Sequence, residues 1–345
     1  MYYIGVDLGG TNIAVGIVNE NYEIVKKGST PTKPERGCDP IIEDMGALCR
    51  KLVSECGLTL DDIAYAGIAT PGTANSDTGI VEYSNNIPFR NYPIAAKLSS
   101  LLDGTKVYIE NDANAAAKAE AFAGVAKGAK YSVMITLGTG LGGGIIIDGK
   151  VYSGFNFAGA ELGHTVIEKG GRPCTCGRRG CWEAYSSATG LVNITKDHIV
   201  EARKSGRKTS MEEMIGGDLS KVSARTAFTA MKAGDEVAAE VVDEYISYLA
   251  CGVVNVINIF QPNVLCIGGG SPIDAGKSAA IILANPDKTA EELYTFAFTP
   301  TKAVPIVVVN LTHGTGSEVN RFAVASITKH NHKPAIAYDC LYPLF

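Results

Sequence analysis

The sequence has few of the features that mark a membrane or secreted protein. No apolar run reaches the ~18–20 residues that are needed to cross a bilayer. The amino terminus, MYYIGVDLGG, has no basic start, and Asp7 interrupts its apolar stretch, which is not typical of a secretory signal. These absences predict a cytoplasmic protein with no membrane partner.

The sequence also has no excess of basic residues. Lys and Arg number 31 against 36 Asp and Glu, which gives a net charge of −5 and an isoelectric point of about 5.6. Nucleic-acid-binding proteins usually carry a basic patch, whereas the lysines here are scattered. We therefore expect no nucleic-acid partner.

The nine cysteines do not form an even set for a disulfide framework. Several of the dispersed ones fall among apolar residues, as reduced core cysteines do; the dispersed ones are Cys38, Cys49, Cys56, Cys251, Cys266 and Cys340. The remaining three cluster over residues 174–181, which indicates a separate role for them.

Hydrophobic residues make up 46% of the 345 positions, enough for a packed core. A single core usually stops growing at ~250–300 residues, so we expect two domains. Periodicity predicts strands at 2–6, 12–18, 22–29, 63–69, 106–110, 131–137, 144–148, 264–267 and 305–309, and helices at 39–56, 112–123, 235–260 and 317–330. Two α/β units thus share the same start: a strand, a glycine-rich turn and a strand.

We place the domain boundary near residue 115, because no low-complexity linker separates the two units. The predicted domains are an amino-terminal α/β domain, 1–115, and a larger carboxyl-terminal α/β domain, 116–316. A last helix at about 317–332 is predicted to pack back on the first domain. The tail, 333–345, shows no clear signal.

The first glycine turn, Asp7-Leu8-Gly9-Gly10-Thr11-Asn12, joins two predicted strands. Glycines let a backbone approach a ligand closely, and successive N–H groups can bind an anion. Asp7 would repel a phosphate unless a cation such as Mg²⁺ lay between them. The alternative is a plain β-hairpin with an incidental aspartate.

A second glycine-rich segment spans residues 137–144 and includes Gly138, Thr139 and Gly140. Its glycines match the dinucleotide pattern G-x-G-x-x-G, but that pattern requires a helix after the turn. Here three isoleucines and an Asp-Gly pair follow, which predicts a hairpin. A dinucleotide site is therefore rejected.

Two further segments bear on nucleotide binding. Residues 271–278 nearly match a phosphate-binding P-loop, but Ser271 replaces the first glycine and Pro272 removes an amide donor. We expect Gly268, Gly269 and Gly270, after a predicted strand, to let a nucleotide lie close to the backbone, with Gly314 and Gly316 adding to an adenosine pocket.

His164 precedes Cys174, Cys176 and Cys181, and these four residues supply the ligands of a closed tetrahedral zinc site. Four protein ligands leave no position for water, so zinc here is expected to be structural. Glu161 and Glu183 flank the cluster, and carboxylates near a zinc-bound imidazole suit the hydroxyls of a sugar. The alternative is a reduced cysteine-rich loop with two solvated surface acids.

Together these motifs resemble the ROK (repressor, open reading frame, kinase) family. The resemblance rests on the turn at 7–11, the loop at 137–144, and Gly163-His164 followed by Cys-x-Cys-Gly-x-x-Gly-Cys-x-Glu at 174–183. It implies an α/β protein of the actin-like ATPase (ribonuclease-H-like) fold, with two domains around a cleft. It also implies an ATP-dependent sugar kinase that uses Mg²⁺ and structural Zn²⁺ and forms a homodimer.

The resemblance implies roles for particular residues. Within Glu110-Asn111-Asp112-Ala113-Asn114-Ala115, Asp112 would be the catalytic base; without the family, a simple helix cap is the alternative. The sugar pocket would be lined by Gly72, Asn86, Asn111, Asp112, Glu161, His164 and Glu183. Asp7, Thr11 and Thr139 would lie at the metal and phosphates.

The resemblance leaves the substrate open. Glucose, phosphorylated at O6, is our first expectation, and N-acetylmannosamine, N-acetylglucosamine, fructose and allose are alternatives. Polyphosphate is a possible alternative donor, which no feature favours. A sugar-sensing repressor of the same family carries an added helix-turn-helix; because the first strand starts at Tyr2, we expect a kinase.

Overall fold

The computed structural model describes residues 1–268, except 86 and 125, and three short strands at 306–309, 322–324 and 335–337. The chain divides into two compact units. The first comprises Met1–Ala119 and Val151–Ala160, and the second comprises Glu120–Lys150 and Glu161–Phe345. The return of 151–160 to the first unit was not expected from the sequence.

The first unit is built on a five-stranded sheet whose strands lie in the order β3-β2-β1-β4-β8. A smaller sheet, β5-β6-β7, follows β4 in the chain. The elements are β1 (Tyr2–Leu8), β2 (Asn12–Asn19), β3 (Ile24–Pro31), α1 (Cys38–Glu55), β4 (Ile63–Thr70), β5 (Thr73–Asn75), β6 (Ile80–Tyr83), β7 (Arg90–Tyr92), α2 (Ile94–Leu101), β8 (Val107–Asn111) and α3 (Asp112–Phe122).

The core of the first unit lies on one face of this sheet. Alternate residues of β1 (Ile4, Val6 and Leu8) are buried, as the two-residue period of a strand requires. They belong to one apolar cluster with the buried face of α1, which includes Met45 and Leu52. The helical period of 39–56 therefore predicted both the element and the face that it buries.

The second unit repeats this plan in a sheet with the order β11-β10-β9-β12-β13. A helical layer with its own apolar cluster follows the sheet's first strands in the chain. The elements are β9 (Ser132–Leu137), β10 (Leu141–Ile147), β11 (Lys150–Val151), α4 (Glu183–Ser186), α5 (Ala188–Ser205), α6 (Ser210–Ile215), α7 (Thr226–Lys232), α8 (Glu236–Phe260), β12 (Val264–Gly268), β13 (Ile306–Val309), β14 (Phe322–Val324) and β15 (Ala335–Ala337).

The two sheets share their strand senses as well as their order. In the first, β1 pairs antiparallel with β2 and parallel with β4. In the second, β9 pairs antiparallel with β10 and parallel with β12. This confirms the duplicated strand–turn–strand start that the sequence predicted.

Two predictions of local structure are wrong. β10 begins at Leu141, so Gly142–Gly144 lie in a strand paired with β9, and the glycine turn is limited to three residues. The helix predicted over 317–332 is not continuous, because Phe322–Val324 is a strand that pairs antiparallel with Ala335–Ala337. Phe and Val are favoured in strands, which the helical period did not register. The rest of that range lies outside the described residues.

Among the helices that the structure describes, none combines the length and the hydropathy that crossing a lipid bilayer requires.

Candidate active site

The candidate catalytic residues of the first unit lie where its parallel strands end. In the register of these strands, Asp7 of β1 is next to Ala69 of β4, and Ala69 is next to Glu110 of β8. Asn111 ends β8 and Asp112 begins α3. Ligands of open α/β sheets bind at this edge, beyond the carboxyl ends of parallel strands.

Asn111 caps the helix α3. The backbone N–H groups of Ala113 and Asn114 donate to its Oδ1, at 3.0 and 3.2 Å. Asp112 is already inside the helix, and its carboxylate accepts from the N–H of Ala113 at 2.9 Å. The helix-cap alternative for Asp112 is therefore wrong, because the neighbouring asparagine performs that role.

Gly72 lies beside this cap. The Asn111 side-chain amide donates to the carbonyl oxygen of Gly72 at 3.1 Å. Gly72 has a φ of +94°, and a Cβ there would come within 2.1 Å of the carbonyl oxygen of Tyr83. Only glycine fits this position. The structure thus places two predicted sugar-binding residues in direct contact.

The Asp112 carboxyl has an altered proton affinity. Desolvation by the surrounding protein raises its pKa above the ordinary value, and the negative charge of Asp7 raises the pKa further, while the N–H of Ala113 lowers it. Desolvation likewise raises the pKa of Asp7. Two carboxyls that disfavour each other's charge are suited to general-base chemistry and to cation binding.

The first glycine turn is a tight connection between β1 and β2. The Gly9 N–H donates to the carbonyl oxygen of Asn12 at 2.9 Å, and the Thr32 hydroxyl donates to the carbonyl oxygen of Gly9 at 2.7 Å. Thr11 and Asn12 are exposed, and Gly10 is half-buried. These two hydrogen bonds at Gly9 hold the turn and leave Gly10, Thr11 and Asn12 accessible.

The second glycine turn, Gly138–Gly140, is held by the start of α5. The Ala188 N–H donates to the carbonyl oxygen of Gly138 at 2.9 Å, and the Thr189 hydroxyl donates to that of Thr139 at 2.7 Å. The amino end of a helix carries partial positive charge. An 18-residue helix thus begins at the turn expected to meet phosphate, a relation that the sequence analysis missed.

The four predicted metal ligands converge. One ligand atom from each of His164, Cys174, Cys176 and Cys181 lies within 4.8 Å of the others. Cys174 Sγ is 3.6 Å from His164 Nδ1, and Cys176 Sγ is 3.7 Å from Cys181 Sγ. Tetrahedral zinc with ordinary bond lengths requires about 3.6 Å and about 3.8 Å for these pairs. The donor set and its spacing fit zinc.

Tight backbone approaches build this cluster. A Cβ on Gly180 would come within 1.7 Å of the Glu168 carbonyl oxygen, and one on Gly163 within 2.1 Å of the Leu141 carbonyl oxygen. The second approach brings Gly163, the residue before His164, against the first residue of β10. The glycines of the sequence motif therefore serve the packing of the cysteine loop on the sheet.

Glu183 connects the cluster to the second glycine turn. Its Oε2 accepts a hydrogen bond from the Leu141 N–H at 2.9 Å, and its Oε1 lies 3.8 Å from Cys174 Sγ. A Cβ on Gly140 would come within 2.5 Å of the same carboxylate. The sequence predicted a sugar ligand here, but it did not predict this bond to Leu141, the residue that follows the glycine turn.

Trp182 supports the cluster from the interior. The Trp182 side chain is fully buried, and its indole N–H donates to the carbonyl oxygen of Tyr248 in α8 at 3.1 Å. A Cβ on Gly252 would come within 1.9 Å of the indole ring. This contact was also missed, although a lone tryptophan between a cysteine and a glutamate of the motif was visible in the sequence.

The remaining predicted residues are distributed as follows. Glu161 is exposed and immediately precedes the 3-10 turn Leu162–His164. Gly268 is buried at the end of β12. Asn86 and Gly269, as well as Gly270, Gly314 and Gly316, lie outside the described residues.

Comparison with known proteins identifies the family. The ROK family profile matches residues 3–280, and the chain belongs to that family. It is 37% identical over 271 residues to a glucokinase of Thermotoga maritima, which covers 77% of this chain and 81% of that enzyme. It is 31% identical over 280 residues to an N-acetyl-D-glucosamine kinase of Aliivibrio salmonicida, which covers 78% of this chain and 84% of that enzyme.

A solved structure of another ROK protein supports the same family assignment. The ROK family glucokinase of Streptomyces griseus, in complex with glucose and AMPPNP, has a TM-score of 0.67 and 29% identity, and the match covers 90% of this chain and 94% of that one. The family prediction and the actin-like ATPase fold that it implied are confirmed.

One similarity is of another kind. The chain is 63% identical over 82 residues to the long-chain primary alcohol dehydrogenase AdhA of Thermoanaerobacter ethanolicus. The match covers 24% of this chain and 21% of that enzyme, too little to transfer its activity. The identity nevertheless exceeds that to the kinases above.

Proposed function

We propose that this ROK protein is an ATP-dependent hexose kinase that phosphorylates O6, with glucose as the preferred substrate and Asp112 as the general base. The observation that carries the proposal is the division of roles at the start of α3. Asn111 accepts from the N–H groups of Ala113 and Asn114, so Asp112 is not the cap of α3, and desolvation and the charge of Asp7 raise the pKa of Asp112. A carboxylate of raised pKa is a better proton acceptor.

The proposed sugar-binding residues are Gly72, Asn86, Asn111, Asp112, Glu161, His164 and Glu183. The kinase relatives support the substrate class, and the contact of Asn111 with Gly72 supports the grouping of these two residues. Asp112 would accept the proton of the attacking hydroxyl during in-line transfer.

The phosphates of ATP are proposed to bind the two glycine turns. In the first turn, Gly9, Gly10, Thr11 and Asn12 contribute; in the second, Gly138, Thr139 and Gly140. The amino end of α5, which is bonded to the second turn, adds partial positive charge. Asp7 would hold Mg²⁺, whose charge offsets that of the phosphates, and Gly268 and Gly269 would lie near the nucleotide.

A structural zinc ion is proposed at the Cys/His cluster, since the ligand spacing fits tetrahedral coordination. Zinc would fix His164 and, through the adjacent loop, Glu183. We further propose that the protein is cytoplasmic and forms a homodimer. Light scattering of the purified protein tests the dimer.

The function is tested with a coupled assay for ADP over a panel of hexoses. We expect glucose to give the highest kcat/KM, and Asp112→Asn to lower kcat by more than ~10²-fold, the loss expected for a general base. Near wild-type turnover in this variant, with sugar binding intact, contradicts the role of Asp112.

Asp61→Asn is the matched control. Asp61 is an exposed acid in the 3-10 turn before β4, at the amino edge of the sheet. It changes the same charge in the same unit and should leave kcat unchanged.

An N-acetylhexosamine kinase is the second candidate, because the relative from Aliivibrio salmonicida carries that activity in its name. Turnover of N-acetylglucosamine without turnover of glucose would replace glucose as the substrate and leave the kinase assignment in place.

A further inference from the structure

The two ends of the chain have different relatives. The ROK profile starts at residue 3 and ends at residue 280. The Thermotoga maritima glucokinase aligns over 271 residues and leaves about a fifth of its own length unmatched. Residues 281–345 have no counterpart in the family profile.

The match to the dehydrogenase fits the part of the chain that the kinase match does not cover. It extends over 82 residues, and the last 82 residues of this chain begin at Val264, the first residue of β12. Placed there, it joins the kinase match with a short overlap, and the two together account for the whole chain. Placed elsewhere, it would put a 63% identical dehydrogenase segment inside a 37% identical kinase match.

We propose that the chain is a composite of two families. A ROK kinase segment extends to about β12, and a segment of the alcohol dehydrogenase type follows it and replaces the carboxyl-terminal fifth of the kinase. The functional consequence, which rests on the proposed kinase activity, is that the kinase segment is joined to a carboxyl-terminal segment from another family in place of its own.

The junction falls on an element that either family can supply. β12 is parallel to β9, with Cys266 next to Met134 and Ile267 next to Ile135. Leu265, Cys266 and Ile267 are all buried. Buried parallel strands are near-continuous apolar runs with little further sequence requirement, so a strand of either origin completes this sheet.

A second observation comes from the first unit. Parallel sheets are usually covered on both faces, and α1 belongs to the core on only one face of the large sheet. The opposite face carries a row of Tyr3, Tyr65 and Tyr108, with ring centroids 4.7 and 5.5 Å apart. Tyr65 and Tyr108 remain 43% and 45% exposed. The sequence analysis expected a carboxyl-terminal kinase helix to pack on this unit, and we expect the carboxyl-terminal segment of a kinase relative to cover this face.

The first test compares the full chain with a graft in which residues 269–345 are replaced by the carboxyl-terminal segment of the Thermotoga maritima glucokinase. We expect the graft to phosphorylate glucose at least ~10²-fold faster, the penalty for misplacing reacting groups. The graft should also protect backbone amides of β4 and β8 from hydrogen exchange, which is independent of activity. Equal rates and equal exchange in the two proteins overturn the proposal.

The second test places residues 264–345 of this chain in the Thermoanaerobacter ethanolicus dehydrogenase, in place of its own 82 matched residues. We expect the hybrid to keep dehydrogenase activity within about tenfold, roughly 1.4 kcal/mol in barrier. A folded hybrid that has lost its activity overturns the composite origin. If the kinase graft is inactive with every sugar while this hybrid is active, the proposed function fails and the composite origin stands.

Discussion

At the scale of single residues, the assignment of Asp112 depends on its neighbours. An aspartate at a helix start is most often a cap, and here the cap is Asn111, whose Oδ1 accepts from the N–H groups of Ala113 and Asn114. The pKa of Asp112 is raised by desolvation first and then by Asp7. The surroundings of the proposed base are therefore set by the asparagine before it and by an aspartate on β1, two strands away from β8 in the sheet.

Removing the Asp7 charge should lower the pKa of Asp112. In Asp7→Asn, the like charge that disfavours the Asp112 carboxylate is absent, so its titration moves to lower pH. Carbon-13 NMR of the carboxyl groups, without ATP or Mg²⁺, measures this directly. Asp61→Asn should leave the midpoint in place, and an unchanged midpoint in Asp7→Asn contradicts the coupling.

The same shift determines the pH dependence of catalysis. A general base must be deprotonated, so kcat/KM is retained above the pKa of Asp112 and is lost as the pH falls through it. Because that pKa is raised, the loss should occur at higher pH than for an ordinary aspartate of about 3.9. The pH profile of kcat/KM would show this.

At the scale of elements, α8 and the cysteine loop depend on each other. Trp182 follows Cys181, a proposed zinc ligand, and its indole ring occupies the space that a side chain at position 252 of α8 would need. The helical period of 235–260 predicted α8, but it gave no reason for a glycine inside a long helix. The reason is the close approach of the indole.

Gly252→Ala should destabilise the protein. Alanine in a helix interior usually gains about 1 kcal/mol over glycine, but its Cβ would lie 1.9 Å from the Trp182 ring. Overpacking of this kind costs typically ~1–3 kcal/mol, and we expect a net loss of stability and a lower zinc content. Denaturant unfolding and metal analysis measure both.

Cys251→Ala is the control for this substitution, because Cys251 is the adjacent exposed residue of the same helix. It should be close to neutral. A Gly252→Ala variant that is more stable than the wild type would show that the indole is free to move aside.

At the scale of the whole molecule, each unit has its own core. The buried cluster of the first unit includes Ile4 and Ile109, and that of the helical layer in the second includes Leu191 and Tyr245. The proposed zinc site lies in the second unit. Loss of zinc should therefore affect the two units differently.

A chelator should lower the unfolding temperature of the second unit more than that of the first. Trp182 is the only tryptophan of the chain and follows the proposed zinc ligand Cys181, so its fluorescence reports on the second unit. Hydrogen exchange of β1 and β4 reports on the first. We expect at least half an equivalent of zinc before chelation. A fluorescence transition that the chelator leaves unchanged would contradict a structural role for the zinc ion.

The sequence by itself determined the family, the duplicated hairpins and the ligand set of the cluster. These follow from local patterns: alternation in strands, glycines in turns, and thiols and an imidazole at fixed spacing. Only the tertiary structure decided that Asn111 is the cap, that Glu183 binds the Leu141 N–H and that Trp182 excludes a side chain at position 252. Each of these contacts joins residues through the geometry of a turn or across a long separation in the chain, where sequence periodicity carries no information.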